Sequence, residues 1–73
     1  SVPRDNVFIA EVGLTGELKK VPNLSERLTE LDRMGYKKVY ISNEVVDIKN
    51  LKTLKVEKSK TLKEVIDKVF RNV

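Results

Sequence analysis

The sequence predicts an α/β fold, with α+β as the alternative, in which two main helices pack on a small mixed sheet. Two segments rich in β-forming residues, at 7–12 and 37–42, flank a segment with the apolar periodicity of a helix. A second segment of helical periodicity follows at 61–70. The expected order of elements is therefore β-(β)-α-β-β-α. A chain of 73 residues is long enough for one such unit and not for two domains.

The first predicted strand spans residues 7–12, an almost continuous apolar run of the kind found in strands buried on both faces. Residues 1–6 are mostly polar and contain Pro3, so we interpret them as an N-terminal arm or a cut edge, and residues 7–73 as the folded unit. Gly13 and Gly16 predict a tight turn after the strand. Residues 17–21 can then continue as a second extended segment.

The first helix is expected to follow Pro22, with Asn23 as its N-cap and Glu26 as the capping-box partner three residues later. Gly35 supplies the left-handed residue that ends it. Glu30 and Arg33 are predicted to pair on the solvent side. The apolar stripe consists of Leu24, Leu28 and Leu31, with Met34 or Tyr36 extending it.

The second half of the chain predicts two more strands and a closing helix. Residues 37–42 form a strand parallel to the first, because a helix connects the two. Residues 43–50 connect it, with one helical turn at 45–48, to an edge strand at 53–56. Thr61 then caps a helix with Glu64 three residues on. The buried face of that helix is predicted to be Leu62, Val65, Ile66, Val69 and Phe70.

The composition excludes several kinds of chemistry. The chain has no Cys, so it can form neither disulfides nor thiolate metal sites, and it has no His, the commonest general base. A net charge of +4 permits contact with phosphates. No apolar run approaches the length of a membrane helix, so we expect a cytoplasmic protein without a membrane partner.

The run EVGLTGELKKVPNLSERL at residues 11–28, followed by MGYKK at 34–38, resembles the C-terminal, Lon-protease-like domain of the RadA family of bacterial DNA repair proteins. The resemblance implies that residues 7–73 correspond to the C-terminal part of that domain. The domain belongs to the same superfamily as domain 2 of ribosomal protein S5. Ala10, Lys19 and Asn43 stand where the family usually has Gly, Arg and Pro. The residues that shape the motif are Glu11, Gly13, Gly16, Pro22 and Gly35.

The resemblance implies a part of an ATP-dependent protein of DNA recombination that migrates DNA branches. In that family the domain is a non-catalytic scaffold for hexamer assembly and contacts single-stranded or branched DNA without sequence specificity. The ATP site and a zinc site are expected in other domains, so this chain is expected to bind neither cofactor and to contain no enzyme site of its own.

Lon-type peptidases use a Ser-Lys dyad, and the resemblance places Ser25 at the position of the catalytic Lys. A hydroxyl has no useful basicity near neutral pH, so Ser25 cannot replace that base. Glu11 and Glu17 are candidates for an acid pair or for ligands of a divalent ion. The preferred interpretation is that Glu11 pairs with a basic group or caps the turn beside the glycines. Two alternatives stay open: a surviving fragment of a Lon-type peptidase, and a subunit-contact module without a ligand.

Two series of basic residues are candidates for DNA contact, against the plain alternative of solvated surface interspersed with acids. Tyr36 and Tyr40 are the candidates for stacking on bases, because Phe8 and Phe70 are expected in the core. The first and preferred series is Lys19, Lys20, Arg27, Arg33, Lys37 and Lys38. The second series is Lys49, Lys52, Lys55, Lys58, Lys60 and Lys63.

Overall fold

A computed structural model describes residues 5–71 as a mixed α/β structure, which confirms the predicted fold class. The main sheet has the strand order β1-β4-β5, and both of its strand pairs are parallel. The strands β2 and β3 form a separate antiparallel pair. The elements are β1 (Asn6–Ile9), β2 (Glu11–Val12), β3 (Leu18–Lys19), α1 (Leu24–Arg33), β4 (Lys38–Ser42), β5 (Lys55–Ser59) and α2 (Leu62–Arg71).

The core lies between α1 and one face of the central strand β4. Val39 and Ile41 of β4 are fully buried, and they form one cluster with Leu24 and Leu28 of α1. Alternate residues of a strand point to opposite faces, so Val39 and Ile41 share the face that α1 covers. The helical stripe predicted from the sequence therefore packs as expected, and Leu31 adjoins the same cluster.

The helix α2 lies on the other face of the sheet. Phe8, Tyr40 and Glu57 are register partners across the three strands, so their side chains share this second face. Ser59 follows Glu57 by two residues and shares it too, and its hydroxyl accepts a hydrogen bond of 3.0 Å from Lys68 of α2. Helices on both faces explain why Tyr40 is buried as thoroughly as its neighbours in β4.

The prediction of one buried strand over residues 7–12 is wrong. The strand ends at Ile9, and Glu11 and Val12 turn away to pair with β3. Phe8 and Val12 are 39% and 42% exposed, because β1 lies at an edge of the main sheet and β2 belongs to a two-stranded ribbon. Residues 1–4 of the predicted arm lie outside the described part of the chain, and β1 begins at Asn6.

Both ends of α1 are defined by backbone conformation and backbone hydrogen bonds, without a side-chain cap at Asn23. Asn23 is the N-cap, as predicted, but it adopts a left-handed conformation with φ 58° and makes no side-chain cap hydrogen bond. The capping box with Glu26 is therefore wrong. At the other end Gly35 has φ 90°, and the N–H groups of Gly35 and Tyr36 donate to the carbonyls of Asp32 and Leu31. This is the Schellman pattern that a C-terminal glycine favours.

The start of α2 confirms one predicted cap. The backbone N–H of Glu64 donates to the Thr61 hydroxyl at 3.2 Å, and the Glu64 carboxylate accepts the Lys60 N–H at 2.7 Å. In a capping box the Glu64 carboxylate would accept the N–H of Thr61, but here it accepts the N–H of Lys60, the preceding residue. Upstream, residues 45–48 are not helical, and the third strand covers Lys55–Ser59 instead of residues 53–56. The extra length of β5 follows from its five-residue parallel pairing with β4.

Several large apolar side chains are more exposed than the sequence predicts. On α2 only Val65 is buried, whereas Ile66 and Phe70 are 46% and 56% exposed. Met34 is 61% exposed and does not extend the stripe of α1, but Tyr36 does pack against the core. Phe8 and Phe70 are therefore not core residues. Within residues 5–71, no helix is sufficiently long and apolar to cross a bilayer.

Candidate nucleic-acid interface

The glycine motif forms a turn that is closed by its own acidic residue. The Glu17 carboxylate accepts hydrogen bonds from the hydroxyl and the backbone N–H of Thr15, at 3.0 and 3.1 Å. It lies over Gly13, where a side-chain Cβ would collide with it. Gly16 has φ 86°, a conformation that glycine adopts without strain. Glu17 therefore closes the turn, and Glu11 lies opposite Lys19 in the hairpin, where the sequence interpretation of Glu11 beside a basic group places it.

Hydrogen bonds hold the pKa of Glu17 below its ordinary value. The largest contribution comes from its own backbone N–H, followed by the hydroxyl and the N–H of Thr15. Each of these groups stabilises the ionised carboxylate. Glu17 is thus charged at neutral pH and occupied within the turn, which argues against an acid pair formed with Glu11.

The same turn is attached to the beginning of α2. The Gly16 carbonyl accepts the Leu62 N–H at 2.8 Å, and the Lys60 carbonyl accepts the Leu18 N–H at 2.8 Å. Glu17 and Thr61 form an antiparallel bridge between these two bonds. The hairpin therefore fixes the position of Lys60 and of the strand β3 relative to the main sheet.

A cleft of about 360 Å³ opens where the strands β4 and β5 end. Ser42 and Ser59 are register partners at the carboxyl ends of these parallel strands, and Ser42 lines the cleft. In open α/β sheets, ligands bind in crevices outside the carboxyl ends of the strands. The lining residues are Leu18, Lys20, Ser42, Asn43, Glu44 and Lys60.

The two lysines give the cleft a net positive charge. Within the described residues, neither the Lys20 nor the Lys60 amine has a hydrogen-bond or ion-pair partner. The one carboxylate of the cleft, Glu44, accepts a hydrogen bond of 2.6 Å from the buried Ser42 hydroxyl. Two free cations and one carboxylate leave a net charge of +1, which suits an anionic ligand.

The first basic series is distributed over different parts of the structure. Lys20 lines the cleft together with Ser42, at the carboxyl end of β4, whereas Lys38 begins that strand, about 13 Å from Ser42 at about 3.3 Å per residue. Lys19 lies opposite Glu11 in the hairpin, and Arg33 forms an ion pair of 3.0 Å with Glu30, as predicted. The structure instead places Lys20 beside Lys60, a member of the second series.

Asp32 has a structural role that the sequence did not indicate. Its carboxylate accepts the backbone N–H groups of Lys52, Thr53 and Leu54 at 2.9 to 3.0 Å. These three bonds, in that order, lower the pKa of Asp32 to about 2. Asp32 thereby links the end of α1 to the segment that enters β5, which lies 20 to 22 residues later in the chain. No local pattern reveals a bond of that sequence separation.

Ser25, the position of interest for Lon-type catalysis, lies in the first turn of α1. Its backbone carbonyl accepts the Thr29 hydroxyl at 3.0 Å. In the described part of the chain, its own hydroxyl is not hydrogen-bonded to any lysine amine. Lys20, which the peptidase alternative would need as a base, lines the cleft together with Lys60.

The two tyrosines are poor candidates for base stacking. Tyr40 is only 3% exposed, and Tyr36 is half-buried against the core cluster. Burial, and then the nearby charge of Glu57, raises the pKa of Tyr40 above its ordinary value. The prediction that Tyr40 stacks on bases is therefore wrong, because its side chain is buried within the described structure.

Together the fold and the cleft define an α/β protein with a cationic crevice at the carboxyl edge of its parallel strands. Its sequence is similar to bacterial DNA repair protein RadA. The RadA of Streptococcus pneumoniae is 36% identical over 64 residues, which is 86% of this chain and 15% of that protein. The RadA of Haemophilus influenzae is 40% identical over 40 residues, which is 55% of this chain and 9% of that protein.

A third relative, the RadA of Listeria monocytogenes, is 41% identical over 34 residues, which is 47% of this chain and 7% of that protein. No protein-family model matches the chain. The chain thus spans 15% or less of the length of these curated relatives. The predicted resemblance to RadA is confirmed, and the assignment to the Lon-like superfamily stays a prediction.

Proposed function

We propose that this chain is a non-catalytic segment of a RadA-type DNA repair protein, contacting DNA without sequence specificity and supporting assembly. The observation that carries the DNA-binding part is the cleft in which the Lys20 and Lys60 amines have no partner among residues 5–71. The relatives are named DNA repair proteins, and DNA is an anionic partner whose charge is complementary to that of the cleft. Backbone phosphates recognised by lysines account for most sequence-independent DNA affinity.

A titration of fluorescently labelled DNA with the chain tests this part. The variant Lys19→Gln, Lys20→Gln, Arg27→Gln removes three charges, of which the Lys20 charge lies in the cleft. We expect the unsubstituted chain to bind at low salt and the triple variant to bind more weakly. A control variant, Lys49→Gln, Lys63→Gln, Arg71→Gln, also removes three exposed charges. Equal loss of affinity in both variants would contradict a local role for these residues.

The support for assembly comes from the second face of the sheet. Phe8 lies on this face at the edge strand β1, and Ile66 and Phe70 of α2 are about half exposed. Exposed apolar side chains and an edge strand favour association with another chain. Self-association is accordingly expected for the 73-residue chain.

Sedimentation measures this association directly. We expect oligomers whose population grows with concentration, and a shift toward monomer in the variant Ile66→Ser, Phe70→Ser. The control is Val45→Ser, which changes an apolar residue that is 99% exposed on a connection. A clean monomer at high concentration, or an equal response of Val45→Ser, would count against the proposed assembly surface.

A further inference from the structure

We infer that the cleft between β3 and the carboxyl ends of β4 and β5 binds a phosphodiester group of the DNA backbone, with Lys20 and Lys60 as its two cations. This inference rests on the proposed function and adds the location of the phosphate contact. It moves that contact from the surface around α1 to the edge of the sheet. It also assigns a role to Lys60, which the sequence placed in the less favoured series.

The position of Lys60 is fixed by its backbone. Its N–H donates to Glu64 at 2.7 Å, and its carbonyl accepts the Leu18 N–H at 2.8 Å. The residue therefore joins β5, α2 and β3 at one point, while its side chain stays exposed. A fixed backbone with a free amine loses less conformational entropy on binding than a lysine on a mobile loop.

The opposite wall of the cleft also has a defined arrangement. Ser42 is 3% exposed and holds the Glu44 carboxylate through its hydroxyl at 2.6 Å. Asn43, between them, is exposed and lines the cleft, and its side-chain amide can donate to a phosphate oxygen. The cleft therefore offers two ammonium groups and one amide donor to an anion.

The cleft has enough room to admit a phosphate that belongs to a polymer. A volume of about 360 Å³ is near the small end of the roughly 300–1,000 Å³ typical of ligand sites. The charge of the cleft, +1 with Glu44 included, matches the single negative charge of one phosphodiester. A free phosphate shares this chemistry, so the experiment has to separate the two sources.

The salt dependence of DNA binding tests the inference. The 73-residue chain is titrated into a labelled 20-base-pair duplex over a series of KCl concentrations. Each phosphate that the protein neutralises contributes about 0.9 to the slope of log K against log salt concentration. We expect Lys20→Gln with Lys60→Gln to lower the magnitude of that slope by about 0.9, because one phosphate contact is lost, and Lys60→Gln alone to lower it by part of that amount.

The control for Lys60→Gln is Lys63→Gln, one turn away on α2 and exposed, but outside the cleft. It removes the same charge, so any difference between the two variants is local. Far-UV circular dichroism and urea midpoints verify that both variants remain folded. Equal slopes for Lys60→Gln and Lys63→Gln overturn the inference and leave DNA binding itself intact. Absence of binding by the unsubstituted chain overturns the proposed function as well.

An NMR titration separates DNA phosphate from free phosphate. We expect the amides of Ser42, Asn43 and Lys60 to shift on addition of the duplex and to shift less in Lys20→Gln. Inorganic phosphate at the same concentration is expected to leave these amide shifts unchanged. A phosphodiester of the duplex is held near the cleft by the contacts of neighbouring phosphates with the protein, whereas a free phosphate ion is not. Shifts with inorganic phosphate and none with DNA overturn the inference in favour of a small-anion site.

Discussion

The fully buried Leu28 provides a quantitative test of the packing between α1 and the sheet. Leu28 is 0% exposed and contributes to the cluster with Val39 and Ile41. Replacing a buried Leu by Ala typically lowers the free energy of unfolding by about 2–5 kcal/mol, because transfer energy is lost and a cavity remains. A chain of 73 residues has a total stability of about 4–11 kcal/mol, at about 0.05–0.15 kcal/mol per residue.

Leu28→Ala should therefore remove a large fraction of the stability. Urea denaturation followed by far-UV circular dichroism measures it as a lower midpoint with a similar m-value. The matched control is Leu14→Ala, the same change at a side chain that is fully exposed in the turn, expected within about 0.5 kcal/mol of the parent. Equal midpoints for the two variants, or no cooperative transition in the parent chain, would refute this description of the core.

Two further predictions concern the Asp32 contact and the motif turn. The pKa of Asp32 lies below its ordinary 3.8, so its contribution to stability is complete above about pH 4 and is lost as pH falls toward 2. Asp32→Asn should lower the urea midpoint at pH 7 and make the midpoint depend less on pH between pH 4 and 2. A variant whose midpoint falls between pH 4 and 2 as steeply as that of the parent chain would contradict the contact. Gly16→Ala should destabilise the chain by about 1–2 kcal/mol through its positive φ, although nothing lies within 4 Å of the added methyl. Gly16→Asn should lower the stability less than Gly16→Ala. Equal melting temperatures of the Gly16→Ala variant and the parent chain would contradict the left-handed conformation of Gly16.

The sequence predicted the elements that local signals control. The apolar stripe of α1, the Gly35 terminus and the Thr61 cap are all encoded within a few residues, and all are present in the structure. The parallel pairing of β1 and β4 followed from the helix between them. The motif glycines were correctly assigned to a turn, although the residue that closes it is Glu17.

The features that depend on long-range contacts were not predicted. An apolar run at residues 7–12 does not indicate that the chain leaves the main sheet after Ile9. The apolar character of Phe8 and Phe70 does not reveal which face of the sheet or helix is covered. The cleft joins Lys20 to Lys60, 40 residues apart in the chain, and no spacing rule relates them.

The proposed DNA contact is tested most directly by binding of the unsubstituted chain to two duplexes of unrelated sequence. Fluorescence anisotropy is measured at about 50 mM and about 200 mM salt, the range over which phosphate contacts weaken strongly. We predict equal affinity for the two sequences and a marked loss at the higher salt, because lysines that contact phosphates do not distinguish bases. No binding at about 50 mM salt, or binding that does not depend on salt, would contradict the account.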